Sequence, residues 1–217
     1  NPNLDRESYI KSLNNLDPVT RAQLLNGDWD ALAEGMFKRS WFTIVDDYPR
    51  DGAYARYWDL AATEASKGKD PDWTSGCKGV LKNGVFYVLE ILRVRESPRE
   101  VERLISQAAT LDNDGLFCDT YMEEEGGSSG KGVIDHYQRE TFLGLSFRGV
   151  RSTGSKTQRA TPLACAAEAG NVKLVRGNWI SEFLDEISSF PQGEHDDQVD
   201  SVSGCFNALA QTGKGEF

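Results

Sequence analysis

The spacing of apolar and polar positions divides the chain into a short helical opening and a longer alternation of strands and helices. Near the start, Tyr9, Ile10, Leu13 and Leu16 form a helical stripe, Asp17-Pro18 supplies an N-cap and a first-turn proline, and Asn26-Gly27 stops the segment. Residues 43 to 50 read as a polar connection. From Tyr54 to Ala62 the run is apolar on both faces, as in a central strand, yet it carries one carboxylate, Asp59. Strands over Trp73 to Val80 and Val85 to Val94 are joined by Lys82-Asn83-Gly84, whose Asn-Gly pair favours a tight hairpin turn. These first three strands are expected to form an antiparallel meander.

Ser97-Pro98-Arg99-Glu100 reads as a capping box with proline at the first helical position, and Val101, Leu104, Ile105 and Ala108 give the buried stripe of a helix. A strand over Leu116 to Met122 follows, ending in three glutamates. Strand, helix, strand is the crossover that a parallel neighbour requires. Residues 131 to 143 read as helix, Ser146 to Arg151 as a fifth strand, and Thr161 to Ala169 and Ile180 to Ser189 as helices. A last helix starts near Asp196 and buries Val199, Val202, Phe206 and Leu209. The pattern predicts an α/β chain: a mixed five-stranded sheet, three antiparallel strands and then parallel ones, flanked by helices.

With 217 residues, 39% of them hydrophobic, the chain can build its own core without disulfide staples. No apolar stretch approaches the roughly 20 residues of a membrane span. The net charge of −10 excludes binding to nucleic acid through overall basicity, which leaves a local patch or metal ions. Cys77, Cys118, Cys165 and Cys205 lie far apart with no C-x-x-C spacing, against a zinc ribbon or redox pair, and read as reduced, mostly buried thiols. The chain begins at Asn1 without the basic-then-apolar order of a signal peptide and reads as part of a longer polypeptide.

The candidate chemistry lies in carboxylates marked out by position. Asp59 sits within a strand, Glu123 at the end of another, and Asp196, Asp197 and Asp200 open the last helix, where Asp197 and Asp200 share a face by their spacing of three. A charge within an apolar strand is costly unless paired or metal-bound. If the strands of Asp59 and Glu123 are parallel neighbours, both acids reach one edge of the sheet, and carboxylates converging there need divalent cations, magnesium or manganese by ligand hardness. An acid at a helix N-terminus also serves the helix itself, and Asp196 is placed to act as that cap. Between residues 141 and 181 the charge balance turns basic, with Arg148, Arg151, Lys156, Arg159, Lys173 and Arg176 against Glu168 alone, which reads as a solvated face or a phosphate-tracking patch. GVRSTGSKT and GGSSGKG both miss the spacing of a phosphate-binding loop.

The order of YWDLA, DPDWTSG, MEEEGGSSGK, TGSKTQRATPLACAAEAGNVKL and HDDQVDS resembles the nuclease domain of the large terminase subunit of tailed bacteriophages and prophages, in the RNase H-like, resolvase-related superfamily. LLNGDWDALAEGMFKRSWF looks like the stretch that links the family's ATPase domain to its nuclease. The resemblance implies an RNase H-like nuclease domain over residues 43–217, preceded by a helical lead-in over 1–42 from an ATPase domain whose motifs are absent here. Carried over by position, Asp59, Glu123, Asp197 and Asp200 match the catalytic metal ligands, with Asp196 in the same cluster, and Lys156 and Arg159 match a conspicuous basic motif. Together with Arg148 and Arg151 they are the expected DNA contacts. The implied activity is endonucleolytic cutting of concatemeric double-stranded viral DNA during genome packaging, with two Mg2+ or Mn2+ ions bridged by Asp59. The implied partners are double-stranded DNA, the terminase ATPase domain, the small terminase subunit and the capsid portal, in the host cytoplasm and without a membrane. Two other readings stand beside it: a resolvase or ribonuclease of the same superfamily, and a non-enzymatic docking module of the packaging motor.

Overall fold

The structure is a computed structural model, and it describes residues 35–61 and 73–212. The lead-in helix expected near residues 9–27 and most of the connection after Asp59 lie outside the described residues. A 3-10 turn at Arg39–Trp41 leads into strands β1 (Thr43–Val45), β2 (Ala53–Asp59), β3 (Thr74–Lys82) and β4 (Val85–Val94). Helix α1 (Pro98–Asp112), strand β5 (Cys118–Glu124) and helix α2 (Ser128–His136) follow, with a π-turn at Tyr137–Thr141 continuing α2. The chain then runs β6 (Phe147–Arg151), α3 (Lys156–Glu168), β7 (Val172–Val175), α4 (Ile180–Ser189) and α5 (Asp197–Thr212).

The described strands form one sheet of seven in the order β1-β7-β4-β3-β2-β5-β6. β2, β3 and β4 make the expected meander, closed by Asn83 at φ 50 and Gly84 at φ 77. β5 joins β2 in parallel and β6 joins β5 in parallel, also as expected. The expected count of five was short by two. Both additions, β1 and β7, lie at one edge and span three and four residues, too few to display a period of two. They pair in parallel with each other, and β7 in parallel with β4.

Alternation along β2 distributes its side chains to two cores. Trp58 packs with Val101, Ile105, Met122, Phe142 and Phe147 on the α1–α2 side. Ala55 and Tyr57 face the other way, onto the larger core built from α3, α4, α5 and the Met36, Phe37 and Phe42 side chains. α1 is held to the sheet by a buried ion cluster: Arg56 donates to Asp112 through Nε at 2.5 Å and to Glu90 through Nη2 at 2.6 Å, while Lys78 reaches Asp112 at 2.8 Å.

Two of the boundaries that differ from expectation bear on the site. β2 ends at Asp59, so this carboxylate closes the strand rather than lying inside it. α3 starts at Lys156, five residues before the expected Thr161, because Ser155 and Gln158 form a capping box: the Ser155 hydroxyl accepts from Gln158 N and the Gln158 side chain accepts from Ser155 N. Pro162 lies inside this helix. The shift puts Lys156 and Arg159 in one helical turn, three residues apart and on one face.

Candidate active site

The parallel pairing of β2 and β5 sets Trp58 opposite Met122, so Asp59 and Glu123 end up side by side at the C-terminal edge of the two strands. Both share the parity of Tyr57 and Tyr121, which pack in the α3–α5 core, and so face α5. α5 is drawn close by small residues. The Ser201 and Ser75 hydroxyls lie 2.8 Å apart, and a Cβ at Gly204 would stand 2.4 Å from the Tyr57 ring. Its first turn carries Asp197 and Asp200, both buried, to the sheet edge.

The electrostatics follow from this crowding. Burial pushes the Asp59 carboxyl well above the ordinary carboxylate range, and the charges of Glu123, Asp200 and Asp197 push it further. Burial raises Asp200 against the pull of Lys156 and Arg159, and raises Asp197 against that of Arg93. In this arrangement the cluster's charge is met by the first turn of α3. Lys156 Nζ lies 2.7 Å from Asp196 Oδ1 and 3.0 Å from Asp200 Oδ2. Arg159 Nη2 lies 3.1 Å from Asp200 Oδ1 and 3.8 Å from Glu123 Oε1. Glu123 also accepts a hydrogen bond from the Ser152 hydroxyl.

Asp59, Glu123, Asp197 and Asp200 are therefore brought together, with Asp196 at the rim. Asp196 occupies the N-cap position, its carbonyl accepting from Asp200 N at 2.9 Å, but its carboxylate turns to Lys156. The carboxylate that receives the first N–H groups of α5 is Glu186, from α4. No local pattern could point to Glu186, since its partner helix is 12 residues away. Of the basic stretch, Arg148, Arg151 and Arg159 line one cleft of about 620 Å³ together with Glu123 and Asp200. Lys173 and Arg176 do not join them: they sit at the far edge of the sheet beside Thr43 and Asp46.

Among the described residues, no three potential ligands stand close enough to chelate one ion as placed, with Lys156 and Arg159 reaching in among the acids. The donor set nevertheless fits a hard divalent cation. It offers carboxylate oxygens from three separate elements, and Asp197 Oδ2 is buried and accepts no hydrogen bond.

Carboxylates gathered at the ends of two central parallel strands and on the helix across them, in a mixed sheet covered on both faces, define an RNase H-like domain. The chain belongs to the terminase RNaseH-like domain family, whose model matches residues 56–209. Its fold is similar to the large terminase nuclease of thermophilic phage G20c with bound magnesium, at TM-score 0.58 and 18% identity over 80% of this chain and 97% of that one. It is likewise similar to the human cytomegalovirus terminase nuclease domain, manganese-soaked and inhibitor-bound, at TM-score 0.59 and 13% identity over 80% and 95%. No curated protein matches the sequence. Among the described residues no helix is long and apolar enough to cross a membrane.

Proposed function

We propose that this domain is a divalent-metal-dependent endonuclease that cuts concatemeric double-stranded DNA during viral genome packaging. The observation that carries the reading is the burial of Asp59 in a crowd of acids, Glu123, Asp200 and Asp197: burial first and then these charges raise the Asp59 carboxyl, in a cluster that only cations can keep ionised. Asp59, Glu123, Asp197 and Asp200 would hold Mg2+ or Mn2+, with Asp59 common to the set. When bound, such ions supply an activated water for in-line attack and stabilise the leaving oxygen.

The chain's own residues do the rest. Arg148 and Arg151 on β6 and Arg159 on α3 line the cleft that opens onto Glu123 and Asp200, and would lead a phosphodiester strand to the acids. Lys156 and Arg159 already neutralise Asp200, so these two side chains would be placed to take up a phosphate and leave the carboxylates to a cation, and the DNA would not meet an uncompensated negative surface. This is how a chain of net charge −10 would handle a polyanion. Residues 1–42 would connect it to a terminase ATPase domain, with the small subunit and the portal supplying further DNA contacts in the host cytoplasm.

The test is conversion of supercoiled plasmid by the purified chain in Mg2+ or Mn2+, with a chelator control. Cleavage of linear duplex in preference to four-way junctions and RNA–DNA hybrids supports the packaging role. A preference for junctions or hybrids supports a resolvase or ribonuclease, and no cleavage of any substrate supports a docking module.

A further inference from the structure

Beneath the acidic cluster lies a second layer of charge that the proposed chemistry does not use. Glu186 of α4 is 8% exposed and points at the start of α5. Its Oε1 accepts from Gln198 N at 2.7 Å and from Val199 N at 3.4 Å, and its Oε2 accepts from Gln198 Nε2 at 2.7 Å. It thus fills the role that the cap residue's own side chain fills in most helices, here performed across a gap between two helices.

Arg93, at the end of β4, is shared between this carboxylate and the cluster. Its Nη2 lies 3.2 Å from Glu186 Oε2 and 3.6 Å from Asp197 Oδ2, and its guanidinium is stacked over Trp73 at 4.3 Å from the ring centroid. Glu186 is the nearer acid, and neither Arg93 Nη2 nor Asp197 Oδ2 forms a hydrogen bond. A buried guanidinium beside a buried carboxylate would ordinarily close into a charge-assisted hydrogen bond. Arg93 Nη2 instead stands nearer Glu186, with its guanidinium stacked on Trp73, and remains within ion-pair range of Asp197 without a hydrogen bond.

We infer that Glu186 is a positioning residue: it caps α5 from α4 and keeps the 3.6 Å ion pair of Arg93 with Asp197 from closing into a hydrogen bond, so that Asp197 Oδ2 remains an acceptor available to a cation. The inference rests on the metal-binding reading of the cluster. It adds two residues to the site, Glu186 and Arg93, that touch no substrate and act through Asp197.

The test uses the full chain, with Mn2+ titrated by calorimetry and melting followed without metal. Glu186→Gln keeps the size and one accepting oxygen but loses the charge that retains Arg93. Arg93 then closes on Asp197, and Mn2+ affinity falls by about 10- to 100-fold. Arg93→Gln binds Mn2+ at least as tightly as the wild type, and the double variant Glu186→Gln/Arg93→Gln recovers most of the affinity lost in the first. A residue that serves only as a helix cap would lower the melting temperature in the single and double variants alike and leave Mn2+ affinity unmoved. Wild-type affinity in Glu186→Gln overturns the inference, as does a double variant no better than the single one. Should Glu186→Gln fail to fold, weaker Mn2+ binding by Arg93→Gln alone overturns it too. Asp59→Asn, run alongside, separates the two levels: undiminished Mn2+ binding there overturns the metal site itself.

Discussion

Gly204 of α5 lies so close to Tyr57 of β2 that a Cβ at this position would stand 2.4 Å from Cε1 of the ring. This contact sets how near the helix approaches the sheet, and hence whether Asp197 and Asp200, two turns and one turn earlier, reach Asp59. Gly204→Ala is expected to cost about 1–3 kcal/mol through overpacking and to lower cleavage by displacing the two aspartates. Tyr57→Leu in the same chain, by removing the ring, should recover part of both losses. Melting curves and cleavage rates of the two variants and their combination check the relationship.

Asp112 is the hub of the ion cluster that ties α1 to the sheet, with Arg56 and Lys78 both on it. Burial pushes its carboxyl up, but the hydrogen bonds and charge of Arg56 and then Lys78 outweigh this and hold it below the ordinary range. Asp112→Asn leaves the fully buried Arg56 under-compensated and should cost about 3–5 kcal/mol in urea unfolding. The sign for pH is fixed by the lowered value: Asp112 stabilises the fold above the unfolded carboxyl pKa, and that contribution is lost as pH falls through its folded value.

Asp59 behaves in the opposite sense. Its folded pKa is raised, so without divalent metal the native state is penalised as pH climbs from the unfolded carboxyl value to the folded one. Asp59→Asn removes the penalty. The variant should melt higher than the wild type at pH 8 in chelator, with the difference vanishing toward pH 4. Added Mn2+ should raise the melting temperature of the wild type and leave the variant unmoved. Equal melting of the two proteins at pH 8 in chelator would contradict the crowding.

Much of this arrangement was legible in the chain itself. The β2–β3–β4 meander followed from alternation and the Asn83-Gly84 turn, and the adjacency of Asp59 and Glu123 followed once α1 was recognised as a crossover. What escaped was of two kinds. β1 and β7 are too short for periodicity to register, and they are strands only because each lies along an existing edge. The salt bridges of Lys156 and Arg159 depend on the true start of α3, five residues before the expected one, and that start is signalled by the capping pair Ser155 and Gln158. Glu186 had no signal at all, because its role exists only between α4 and α5.

The placement of the basic residues predicts which of them would meet DNA and which would not. Arg148, on the cleft, and Lys156, on the acids, should each contribute one phosphate contact, so that Arg148→Ala and Lys156→Ala weaken binding across all sequences and flatten the salt dependence by about one unit apiece. Arg176, paired with Asp46 at 2.5 Å on the opposite edge of the sheet, should be silent in the same titration. Fluorescence anisotropy on a labelled duplex over a range of salt concentrations reads all three, and a loss confined to particular sequences would contradict a backbone-tracking cleft.

The most direct measurement of the central claim is the rate of Mg2+- or Mn2+-dependent plasmid nicking by the wild type and by Asp59→Asn, with circular dichroism to establish that both are folded. Asn preserves the volume of the side chain and removes the charge at the centre of the cluster. The account predicts chelator-sensitive nicking by the wild type and none above background by the folded variant. Nicking at the wild-type rate by folded Asp59→Asn would contradict it.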